Sequence, residues 1–175
     1  MELGLKRGFV KLSDHQICWK QEAEKTIKQL KDILGNIIID IQHIGSTSIK
    51  DIKAKPIIDI AIGIKNFDNI DYVIQVFDQN GIIYRPNENK PEFKVFVMGN
   101  MIEQIRTHHI HVVIHGSNEW NNYINFRDYL NKHHLEAKKY EELKIKLMEE
   151  NKDNRANYTQ NKEEFIKKIY EKARK

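Results

Sequence analysis

From His43 to Ile64 the chain reads HIGSTSIKDIKAKPIIDIAIGI. Just ahead of the turn in this stretch, Ile37, Ile39 and Ile41 alternate with Asp40 and Gln42, the two-residue period of a strand with one apolar face. That strand runs into Gly45-Ser46-Thr47. Glycine tolerates a sharp turn and lets a ligand approach the backbone, and the two hydroxyls stand beside free amides. A short helix starting near Ser46 would turn its N-terminus to an anion. After a connection carrying Lys50, Lys53 and Lys55, Pro56 suits the first residue of a second strand, where its missing N–H costs little. There Ile58, Ile60, Ile62 and Ile64 take one face, and Asp59, Ala61 and Gly63 the other. Asp59 is expected opposite an apolar stripe, just downstream of a turn suited to phosphate. On a central strand such a carboxylate requires partners or a metal.

Upstream, the pattern predicts a leading strand around Phe9 to Leu12. A helix then starts from a Ser13 or Asp14 cap and runs to about Leu34, with Ile17, Ala23, Ile27, Leu30 and Leu34 at helical spacing. Gly35-Asn36 closes it. Downstream, Phe67 to Asn80 is expected as a helix with Ile70, Val73, Ile74 and Phe77 inward. Strands follow at Ile82–Arg85, Phe93–Met98, Met101–Thr107 and His109–Ile114, with Gly99-Asn100 as a hairpin turn. Helices over 118–132, 135–150 and 155–175 complete the chain. Strand–turn–strand–helix order predicts an α+β fold: a mixed sheet with helices packed on one face, the Asp59 face less covered, and a helical C-terminal part. The sheet core spans about 1–116 and the helical part about 117–175 of a single domain.

His109 and His111 share one strand face, with Ile110, Val112 and Ile114 on the other. Residues two apart on a strand lie roughly 6.6–6.8 Å apart, close enough for two imidazoles to reach one point above the sheet. With Asp59 they form a candidate metal set, an open site of a kind that suits zinc and similar ions. The competing reading is a polar face whose histidines bond to neighbours or water. Arg106 and Arg127 are candidate cations for an anionic ligand, and Arg127 with Asp128 equally suits an ion pair fastening the helical part to the sheet.

The 175 residues, 40% hydrophobic and 31% charged, fit a soluble globular chain. The net charge of +4 is spread over amphipathic helices, so nucleic acid is not an expected partner. Cys18 is the one cysteine, which excludes an internal disulfide framework and fits a cytoplasmic location. No apolar run approaches the roughly 20 residues that span a bilayer, so a membrane is not an expected partner either. Walker and Rossmann glycine patterns are absent.

The segment HIGSTSIKDIKAKPIIDI, with THHIHVV (107–113) and FRDYL (126–130), resembles the signature of the GrpB family, a branch of the polymerase-beta-like nucleotidyltransferase superfamily. The resemblance covers nearly the whole chain. It implies a nucleotidyltransferase-like fold and a nucleotide or phosphorylated small molecule as ligand. Gly45, Ser46 and Thr47 would bind phosphate, helped by Lys55 and Arg106, and Asp59 would be the catalytic and metal-binding carboxylate for Mg or Mn, alternatively Zn. Some members of that family are fused to dephospho-coenzyme A kinase, a link to coenzyme A metabolism by resemblance only. The superfamily pattern has a second carboxylate two residues after the first; here that position is Ala61. Members of the family often carry Glu before the His of HIGST, where this chain has Gln42. A two-metal site needs several oxygen anions. Three readings therefore stand: a nucleotidyltransferase-like ligand binder, a non-catalytic binding module on the same fold, and a metal-dependent enzyme using Asp59 with His109 and His111.

Overall fold

The structure, a computed structural model, describes residues 2–150 and 155–174, apart from the side chains of 155–161. Its strands in chain order are β1 (Leu5–Lys6), β2 (Asp40–Ile44), β3 (Ile58–Ile64), β4 (Ile83–Tyr84), β5 (Phe93–Asn100) and β6 (Ile105–Ile114). Its helices are α1 (Ile17–Leu34), α2 (Ile70–Gln79), α3 (Asn118–Lys132), α4 (His134–Glu150) and α5 (Arg155–Ala173). The expected end of the last helix at Lys175 lies outside the described residues.

The sheet runs β2-β3-β6-β5-β4, with β1 added beside the start of β6. β3 pairs antiparallel with β2 and parallel with β6, so the sheet is mixed. Ile58, Ile60 and Ile62 are fully buried and pack, with Ile110, Val112 and Phe96, against Trp19, Ala23 and Leu30 of α1 and Val73 and Phe77 of α2. This is the face the isoleucine alternation predicts, and Asp59 stands on the other.

That other face carries a smaller cover, from α3. Trp120 of α3 packs on Ile44, Ala61 and Val113. The physical reason lies in Ala61 and Gly63, whose small size makes room for the helix: a Cβ on Gly63 would come within 3.0 Å of the Trp120 ring. Ser117 caps α3 by accepting from the Trp120 N–H at 3.2 Å, which aims that ring at the sheet.

Three local expectations are corrected. The leading strand is Leu5–Lys6, not Phe9–Leu12, because the free edge of β6 beyond the start of β3 pairs with Leu5 and Lys6, leaving Phe9 58% exposed. Ser13 caps no helix: its backbone bridges Ala54, its hydroxyl donates to Glu2, and α1 begins at Ile17. Met101–Thr107 and His109–Ile114 are one strand, β6, reached through a turn at residues 101–104. Gly99, at φ +145, instead forms a bulge; a Cβ there would run into the Ile105 carbonyl oxygen.

Candidate functional site

Ile44 is the cross-strand partner of Asp59, so the chain leaving β2 at Gly45 folds directly over the carboxylate. Gly45 has φ 70 and ψ −170, a region that is essentially glycine's alone. Ser46–Ser48 then make one 3-10 turn. Thr47 is buried, its Oγ1 2.9 Å from His43 Nε2 and donating to the Ile57 carbonyl at 3.4 Å. Ser48 Oγ donates to the Gly45 carbonyl at 2.6 Å. Ser46 Oγ lies 3.2 Å from the Tyr140 hydroxyl of α4, so the C-terminal helices reach the turn.

Asp59 and His109 are in register on adjacent parallel strands, with His109 Nδ1 3.3 Å from Asp59 Oδ1 and the Asp59 side chain 27% exposed. Burial pushes the Asp59 carboxyl up. Its hydrogen bond with His109 and its electrostatic interactions with His109, His111 and Lys162 outweigh that and hold it below the usual carboxylate range. The other ring nitrogen, His109 Nε2, is buried without a hydrogen-bond partner.

His111 shares this face and pairs with Ala61. Its ring packs between Phe93 and Tyr123, with centroids at 5.6 and 5.3 Å, and Nδ1 is 3.4 Å from the Tyr123 hydroxyl. Burial lowers its pKa to about 4 and keeps it neutral. Asp59 and His109 thus meet, while His111 is engaged by its aromatic neighbours. Among the described residues no group of three or more His, Cys, Asp or Glu is placed to hold a metal ion. Asp59 and His109 would supply two ligands, and the remaining positions would fall to water or a bound anion.

Lys55 is half-buried in the connection before β3. Arg106 is not with the turn, a correction to its expected role: it is buried on the far side of β6, gripped by both oxygens of Glu88 at 2.9 and 3.2 Å. It lines a separate hollow with Arg7 and Arg85. Arg127 is the fastening ion of the alternative reading. Its Nε donates to Asp128 at 2.7 Å and its Nη1 to Gln42 Oε1 at 2.9 Å and the His43 carbonyl at 3.0 Å, tying α3 to the β2 edge. Gln42 uses both ends of its amide, donating to Asp40 at 3.0 Å while accepting from Arg127; a glutamate there would lack the donor.

Tyr140 and Lys144 of α4 carry no site signal in the sequence. Tyr140 lies between Phe126 and Phe165, with centroids at 5.3 and 5.5 Å. Lys144, 1% exposed, has its ammonium 4.5 Å over the Tyr140 ring and donates to the Lys53 carbonyl. Burial first, then the Lys162 charge, lowers it to about 7.

Fold and site together define a mixed α+β protein with a single carboxylate held beneath a Gly-Ser turn. The chain belongs to the GrpB family, whose profile, described as GrpB protein, matches residues 9–172. It is 36% identical over 169 residues to the glutamate-rich protein GrpB of Alkalihalophilus pseudofirmus, covering 95% of this chain and 97% of that one. It is 34% identical to the UPF0157 protein YqkA of Bacillus subtilis over 90% of this chain, and spans 44% of that longer protein. Among solved structures it is similar to the conserved protein GrpB from Enterococcus faecalis, with a TM-score of 0.85 at 29% identity, over 93% of this chain and 96% of that one. Among the described residues no helix is long and apolar enough to cross a membrane.

Proposed function

We propose that the chain binds a nucleotide or another phosphorylated small molecule, its phosphates against Gly45–Thr47 and a divalent cation, Mg or Mn, on Asp59. The carrying observation is the close stacking of the turn on Asp59, which leaves no room for a side chain at position 45. Magnesium is commonly held by one or two carboxylates together with substrate phosphates, so a lone Asp59 suits a cation that arrives with its nucleotide. A carboxylate kept ionised by its neighbours is the form a metal needs. With Ala61 in place of a second carboxylate, the reading is ligand binding, and a nucleotidyl transfer built on two metals is not part of it.

A second reading, a zinc-type centre on Asp59 and His109, is favoured by the unpartnered, buried His109 Nε2. Calorimetry separates the two. Mg²⁺ or Mn²⁺ with ATP, GTP, CTP, UTP or dephospho-coenzyme A should bind wild type and weaken in Asp59→Asn, with His109→Ala altering it little. Zn²⁺ binding without nucleotide that is lost in His109→Ala supports the second reading. Absence of any heat with every nucleotide at millimolar concentration overturns the first.

A further inference from the structure

We infer that the hollow at the β2 edge, between α1 and α3, is a binding site for an uncharged heteroaromatic molecule of nucleobase to nucleoside size. The hollow measures about 600 Å³, within the range of roughly 300–1,000 Å³ typical of small-molecule sites. It is separate from the carboxylate: Ile41 and His43 stand on the α1 face of the sheet, whereas Asp59 faces α3. The inference does not rest on the phosphate reading.

Size alone does not choose a ligand; the lining does. Ala23 and Ile27 of α1 and Ile41 of β2 supply an apolar floor. Above it lie the imidazoles of His15 and His43 and the guanidinium of Arg127, planar groups against which a flat ring stacks well. Arg127 is already committed to Asp128, Gln42 and the His43 carbonyl. Lys20 is paired with Glu24 at 3.7 Å, and Lys50 and Asp51 bring opposite charges to the same lining. Acidic and basic groups nearly balance across the lining, so it has no strong pull on an anion. His43, pushed down to about 4 by burial, is neutral and offers hydrogen bonds without charge.

One polar atom in this lining lacks a partner. His15 packs edge-on against Trp19 at 5.8 Å, and its Nδ1 is buried with no hydrogen bond. Such atoms are rare in folded proteins, since each costs about 1–3 kcal/mol. A heterocycle with a ring nitrogen or amide would satisfy it if the His15 ring turns that edge to the hollow. The hollow also touches the turn: Thr47 lines it and shares its hydroxyl with His43 at 2.9 Å. A ligand here would therefore steady the same turn that covers Asp59.

The test uses free nucleobases and nucleosides, which carry no phosphate, followed by amide chemical shifts on the full chain. At least one should shift resonances of residues 15–27 and 41–48. Lys20→Trp, at an exposed position, fills the mouth and should weaken binding at least tenfold. His15→Phe keeps the ring against Trp19 but removes Nδ1 and should weaken it about tenfold, the size of one buried hydrogen bond. Asp59→Asn should leave affinity within twofold. Wild-type shifts confined to the Gly45–Asp59 side, or affinity lost in Asp59→Asn and kept in Lys20→Trp, overturn the proposal. So does the absence of shifts with every base and nucleoside at millimolar concentration. Failure of nucleotide binding in the calorimetry described above leaves this result standing, because no phosphate is present in these titrations.

Discussion

A methyl group on Gly45 would collide with the side chain of Asp59, reaching its Cβ at 2.8 Å and its Cγ at 2.9 Å. The turn and the carboxylate are therefore in contact, and neither can change without the other. Gly45→Ala should cost more than backbone strain alone, which is about 1–3 kcal/mol at such a conformation. Gly116→Ala, at φ +76 with nothing within 4 Å of the added carbon, is the matched control and should cost only the strain. Adding Asp59→Ala to Gly45→Ala should recover part of the loss. Urea unfolding of wild type, the three single variants Gly45→Ala, Asp59→Ala and Gly116→Ala, and the double variant checks this, and strictly additive losses would count against the contact.

His111 and His43 are held neutral by burial, each at about 4, against roughly 6.5 in the unfolded chain. Between these values the unfolded state binds more protons, so stability rises with pH across that window and is lost as pH falls through it. Each histidine contributes a slope of up to about 1.4 kcal/mol per pH unit. His111→Phe, which keeps a ring between Phe93 and Tyr123, should unfold with a shallower acid dependence than wild type. Denaturant midpoints measured from about pH 7 down to pH 4.5 read the difference.

Lys144 bears the opposite experiment. Its ammonium is buried and its pKa is lowered to about 7, while the unfolded value is near 10.4. From about pH 7 to 10 the unfolded chain binds the extra proton, so this group makes stability rise with pH. Lys144→Met should be more stable than wild type at neutral pH, by about 1–4 kcal/mol as for other buried charges replaced by apolar groups. The gap should narrow toward pH 10. Thermal unfolding across that range is the measurement.

Arg127 fastens α3 to the open edge of the sheet through two bonds from one nitrogen. Arg127→Lys keeps the charge but not the planar fork, and should lose about 1–3 kcal/mol, the range for charged hydrogen bonds. Hydrogen exchange should show faster opening of β2 in that variant, with β6 little changed, because β2 alone loses its edge cover.

Alternation in Ile58–Ile64 and in His109–Ile114 was enough to say which side chains face the helices, because a strand's period leaves no other choice once one face is buried. It also put Asp59 and His109 on the same side. That they touch was decided by strand order: β6 joins β3 in parallel, a pairing between residues some fifty positions apart that local pattern cannot encode. The same holds for the cover on that face. Ala61 and Gly63 read as the polar, open side of a strand, yet their smallness is what admits Trp120, and smallness in sequence does not distinguish exposure from close packing. Arg106 looked like a ligand cation until the fold brought Glu88 to it. Residue types and periodicity thus determined the faces and the turn; only the tertiary structure decided which charges are already spent on one another, since ion pairs and burial are properties of neighbours in space.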